Sequence, residues 1–119
     1  MTDYELAKKL HLLALAESFS PLVLANASQL GNFIPTENDC HGNVDRWVSL
    51  HPQQKAVRGY LIINDCIFNK HSVVETGTEL LDITPRLTND AKNLLRFIEF
   101  RNIDRGAFDL WPNQVIYSG

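Results

Sequence analysis

The hydrophobic period of this chain changes once, near Lys55, and that change limits the folds open to it. Before it, apolar residues recur at three- and four-residue spacing. After it they alternate or run on, as Val57 to Ile63, Ile67 to Glu75 and Thr78 to Thr84. The first pattern specifies amphipathic helices and the second strands, so the expected class is α+β, with N-terminal helices packed on a small antiparallel sheet.

Tyr4, Leu6, Leu10, Leu13 and Ala14 predict a helix over about 3–16, capped by Thr2 or Asp3. Ser20-Pro21 reads as a second helix start, carried by Leu22, Val23, Leu24, Ala27 and Leu30 to a stop at Gly31. After a loop over 31–39, a third helix starts at an Asn38 or Asp39 cap. It has Cys40, Val44, Trp47, Val48 and His51 near one face, and Pro52 ends it. The three strands form a meander joined at Asn64-Asp65 and Thr76-Gly77, and Pro85 closes the third. A last helix is expected from Asn89 or Asp90, behind a Thr88 cap, to Phe100. The apolar tail (Phe108, Leu110, Trp111, Val115, Ile116, Tyr117) should dock on the body as one more strand or exchange between two copies in a homodimer.

At 119 residues the chain is expected to form a single domain over 1–119. Its net charge of −3 and scattered Lys and Arg argue against a nucleic-acid surface. The acidic start, and an apolar stretch broken by Lys8, Lys9 and His11, predict no export signal and no membrane span, hence a cytoplasmic protein. No Gly-rich phosphate loop or dinucleotide fingerprint is present, and no cofactor is expected. In a reducing compartment Cys40 and Cys66 remain thiols.

Cys40 falls at a helix start, where the dipole and backbone N–H groups favour a thiolate. His71 interrupts an apolar strand. If Thr76 and Gly77 are the central residues of the turn, His71 stands directly opposite Asp82, a carboxylate beside an imidazole. Cys40, His71 and Asp82 are then a nucleophile, base and orienting acid. Asn43, His41 and Asn38 are candidates for oxyanion binding or positioning, and Trp47, Tyr60 and Val73 for a substrate cleft. Cys66 is expected to be a structural thiol, and His11 and His51 to be solvated or interfacial.

The order of these residues resembles the transglutaminase-like branch of the papain-like cysteine hydrolases. The matching elements are Cys40 leading its helix, Gly59-Tyr60-Leu61, His71-Ser72-Val73-Val74 and Leu80-Leu81-Asp82-Ile83-Thr84-Pro85. Cys40-His41-Gly42-Asn43 followed by Trp47 is also similar to small bacterial proteins of unassigned activity. Val73 stands where the family usually has a Trp. The resemblance covers about residues 38–86 and implies a papain-like core and a thiol-dependent hydrolase or acyltransferase acting on a protein or peptide-like amide. Two alternatives stand beside it. One is a non-catalytic protein-binding or inhibitory module of the same shape, holding a partner protein in its cleft or at its sheet edge. The other is a metal-binding protein using Cys40, His41 and His71, against which neighbouring helical residues diverge by about 100°.

Overall fold

The Thr2 hydroxyl accepts from the Glu5 N–H while the Glu5 carboxylate accepts from the Thr2 N–H, a capping box that opens α1 (Asp3–Leu15). The backbone donation, with the hydroxyl after it, holds the Glu5 carboxyl below its ordinary pKa. The structure is a computed structural model and describes residues 1–84 and 95–119. After α1 come β1 (Ser20–Leu24), α2 (Ala27–Leu30), α3 (Cys40–Leu50), β2 (Lys55–Asn64), β3 (Ile67–Glu75), β4 (Leu80–Asp82), β5 (Leu95–Phe100), α4 (Arg105–Asp109) and β6 (Gln114–Ile116). The class is α+β.

Parts of two expected helices are strands. Ser20-Pro21 opens β1, not a second helix, and β1 runs parallel to β4 with Val23 opposite Leu81 and Leu24 opposite Asp82. The run Leu22-Val23-Leu24 is too short for periodicity to choose between helix and strand, and the neighbouring strand decides it. The only helix in that stretch is the single turn α2, opened by a second capping box between Asn26 and Gln29 and ended at Gly31, φ +58°. Likewise residues 95–100 form β5, paired antiparallel with β2. The expected closure at Pro85 and the helix start from Thr88 to Leu94 lie outside the described residues.

The sheet is therefore mixed and larger than a three-stranded meander. Among the described residues its six strands are hydrogen-bonded in the order β2-β5-β1-β4-β3-β6, and β2 also pairs with β3. The tail does add a strand, β6, which pairs antiparallel with β3 through Phe68 opposite Val115.

The chain divides into two compact units, the first made of Met1–Ser20, Arg58–His71 and Arg96–Gly119. Its core holds Leu6, Leu10 and Ala14 of α1 with Tyr60, Phe68, Ile98, Phe108 and Val115. Tyr60 has no exposure, donates its hydroxyl to the Pro112 carbonyl at 2.7 Å, and meets the rings of Phe100, Phe108 and Trp111. At Gly59, opposite Glu99, a Cβ would collide with the Ile98 carbonyl, so only glycine lets β2 and β5 approach this closely. The Lys70 ammonium donates to the carbonyls of Phe108 and Trp111 and lies over the Phe108 ring, closing the end of α4.

The second unit is Pro21–Val57 with the described part of Ser72–Leu95. Val44 and Trp47 of α3 pack on Val74, Leu81 and Ile83, with Ala25, Leu30 and Phe33 at the margin. The β3–β4 register is Val74 opposite Leu81 and Glu75 opposite Leu80, which carries Asp82 opposite Val73. The expected direct pairing of His71 with Asp82 is corrected by two residues. The turn is responsible: it centres on Gly77-Thr78, one residue later than expected, with the Thr76 N–H bonded to the Glu79 carbonyl and Gly77 at φ +103°. Glycine takes that conformation at the first central position of a tight hairpin without strain. A slip of two leaves the face of each β4 side chain unchanged.

Burial, with a smaller push from Asp3, raises the Tyr60 pKa well above its ordinary 10.0. An unfolded phenol ionises near 10, so above that pH the unfolded state sheds a proton that the folded state keeps. Stability should be full below about pH 10 and fall as pH rises further. Denaturant titrations at pH 8 and 11 are expected to show a smaller loss for Tyr60→Phe than for the wild type.

Candidate functional site

The start of α3 is held from three directions. Asp39 is the N-cap, its carboxylate accepting from the Gly42 N–H at 3.2 Å and its carbonyl from the Asn43 N–H at 2.8 Å. A Cβ on Gly42 would run into that carboxylate, so the cap itself demands a residue without one. Asn38, one step earlier, is exposed at φ +58° and leaves capping to Asp39. Cys40 is then the first residue of the helix, partly exposed.

Asn43 is fully buried and its amide is saturated. Its Oδ1 accepts from the Thr36 N–H and from Arg46 Nη2, both at 2.8 Å, while its Nδ2 donates to the Thr36 carbonyl at 2.8 Å and Thr84 Oγ1 at 3.1 Å. It ties the loop before α3 to the end of β4. With both amide hydrogens committed inside the fold, Asn43 has no donor left for an oxyanion.

His41 reaches across to β3, where its Nδ1 and the Ser72 Oγ lie 2.5 Å apart. Ser72 has no exposure and His41 is partly buried. The residues preceding this pair in the chain are Cys40 and His71. Asp82, 2% exposed, ends β4; its Oδ1 accepts from the Thr84 N–H at 3.2 Å and its carbonyl from the Ala25 N–H at 3.0 Å. Cys40 and Asp82 belong to the second unit, whereas His71 belongs to the first, where it is buried in β3 with its ring edge-on to Phe97.

Of the expected cleft residues, Tyr60 and Val73 have no exposure and are core, so neither walls an open site. Trp47 does. One face of its ring stacks on His51 at 4.1 Å, Phe33 meets it edge-on at 5.2 Å, and its Nε1 donates to Gln54 Oε1 at 2.7 Å. These rings line a groove of about 790 Å³ along the C-terminal half of α3. Cys66 sits in the β2–β3 turn, its carbonyl taken by the Tyr117 N–H. His11 stacks on Tyr117 and its Nδ1 lies 2.6 Å from the Asp65 carbonyl.

Sequence reasoning missed Ser72, Thr36, Thr84 and Arg46. Ser72 carried a signal, a small hydroxyl inside an apolar strand run, where a buried polar group demands a partner. Among the described residues no three His, Cys, Asp or Glu side chains gather at metal-ligand spacing, so the metal alternative gains no support. Among them too, no helix is long and apolar enough to cross a membrane.

Asn43→Ala should destabilise the protein by about 3 kcal/mol, because four bonds are lost and some of their partners are left buried. Thr84→Ala, which removes one of the four, should cost about 1 kcal/mol. Urea unfolding of both variants checks the pair, and equal small losses would deny Asn43 its clamping role. No family model, curated protein or solved structure matches this chain.

Proposed function

We propose that the chain is a thiol-dependent hydrolase or acyltransferase in which Cys40 is the nucleophile, His71 the base and Asp82 the acid that orients the imidazole. The observation that supports this reading is Cys40 at the first position of α3, partly exposed, where the helix dipole and backbone N–H groups favour a thiolate. The order of the motifs over residues 38–86, similar to that of the transglutaminase-like hydrolases, supports it as well.

In this reading His71 takes the proton from the Cys40 thiol and the sulfur attacks the carbonyl carbon of an amide or ester. As the tetrahedral intermediate collapses, the bond from carbon to the leaving nitrogen or oxygen breaks. The proton held on His71 passes to the leaving group, and a thioester remains on Cys40. Water or an amine, giving a proton to His71, then attacks the thioester carbon; the carbon–sulfur bond breaks, Cys40 leaves as the thiolate and takes the proton back from His71, and the acid or the acylated amine is released. Backbone N–H groups at the start of α3 are the donors best suited to the oxyanion, since the helix dipole adds to them and Asn43 is committed elsewhere.

A second reading, a non-catalytic binding or inhibitory module, is favoured by the groove beside Phe33 and Trp47. Thiol reactivity separates the two. Under limiting iodoacetamide at mildly acidic pH, peptide mapping should find Cys40 alkylated at least tenfold faster than Cys66, and His71→Ala should remove most of that difference. Equal labelling of both cysteines, or a Cys40 rate indifferent to His71→Ala, would overturn the enzyme reading in favour of the binding module.

A further inference from the structure

The groove on α3 is chemically lopsided. Its walls carry two aromatic rings, Phe33 and Trp47, and its mouth carries two large aliphatic side chains unusually open to solvent, Ile34 at 81% and Leu50 at 67% exposure. The ionisable side chains that line it are Arg46 and His51, and no carboxylate is among its lining residues. The Arg46 guanidinium lies over the Phe33 ring at 4.9 Å and spends one N–H on Asn43 Oδ1, and no Asp or Glu pairs with it among the described residues.

We infer that this groove binds a small monocarboxylic acid with an apolar body, the carboxylate on Arg46 and the body against Phe33, Trp47 and Leu50. Three observations carry the inference. The volume of about 790 Å³ falls in the range of small-ligand sites. A guanidinium fixed by one bond to a buried amide presents its remaining N–H groups as a fork, which matches a carboxylate in charge and geometry. A single fork, with no lysine among the described lining residues, is a poor match for the greater charge of a phosphate.

His51 stacks on Trp47 and donates from Nδ1 to the Trp47 carbonyl, 2.9 Å away. The groove lies about 10–15 Å along the helix from Cys40 at 1.5 Å rise per residue, and the inference is independent of the thiol chemistry.

The probe is 4-phenylbutanoate, titrated into the ¹⁵N-labelled chain, with its neutral amide as control. The acid should bind saturably, with shifts concentrated in residues 29–34 and 46–51 and at the Trp47 indole N–H. The amide should bind at least tenfold more weakly. Arg46→Gln should weaken the acid at least tenfold while leaving the amide within twofold, and Arg46→Lys should recover only part of the loss. Leu50→Asp, at an exposed position, should weaken both probes. Equal affinity for acid and amide, an Arg46→Gln variant that binds the acid as the wild type does, shifts scattered outside the groove, or no saturation would each overturn the proposal.

Discussion

The start of α3 depends on a side chain that touches no solvent. Four hydrogen bonds converge on the Asn43 amide, two to the Thr36 backbone and one each to Arg46 and Thr84. An amide has two donors and one oxygen with two lone pairs, so these four contacts use its whole capacity. That completeness makes burial affordable, since each bond left unmade would cost about 1–3 kcal/mol. It also joins the loop before Cys40 and the helix that Cys40 begins to Thr84 just beyond β4, 41 residues further along the chain and in the same unit.

The same helix start illustrates how local rules constrain one another. Asp39 caps the helix only because Gly42 leaves room for its carboxylate, and Cys40 takes the first helical position only because Asp39, not Asn38, makes that bond. His41 then faces β3 and meets Ser72. A residue expected to assist an oxyanion thus bonds the helix to the sheet, as Asn43 bonds it to the loop. On the proposed chemistry, the chain devotes its side-chain donors to fixing the nucleophile and leaves oxyanion binding to the backbone. Further along the helix, Arg46 links the two themes, completing the Asn43 network with one N–H while facing the aromatic groove with the rest of its fork.

The parts of the fold that were legible in the sequence were those with a local cause. A Thr2 or Asp3 cap and the spacing of Leu6, Leu10 and Ala14 announce α1, an Asn38 or Asp39 cap and the spacing of Val44 and Trp47 announce α3, and the long apolar runs announce β2 and β3. The failures have non-local causes. Leu22-Val23-Leu24 becomes a strand because β4 lies beside it in parallel, a partner some 60 residues away that no local pattern reveals. Leu95–Phe100 was read as helix from Leu95 and Ile98, yet its pairing with β2 prevails over that spacing. The β3–β4 register was off by two because Gly77 supplies the first, not the second, central residue of its turn. The candidate residues were visible by type: Cys40 starts its helix as expected, whereas Asp82 ends β4 and stands opposite Val73, not His71. What sequence could not reveal was hydrogen-bond commitment, which gives Asn43 a structural task and makes Ser72 a partner.

The central claim is that Cys40 is an acyl-accepting nucleophile, and the most direct measurement is intact-mass and peptide-mass analysis of the full chain after brief exposure to p-nitrophenyl acetate. The account predicts a burst of nitrophenolate and one acetyl group on the peptide containing Cys40. It predicts none on Cys66, slow loss of the acetyl group to water and faster loss to an added amine, and no burst in Cys40→Ala. Acetylation spread over both cysteines and the lysines, without a burst and unchanged in the peptides that remain in Cys40→Ala, would contradict it.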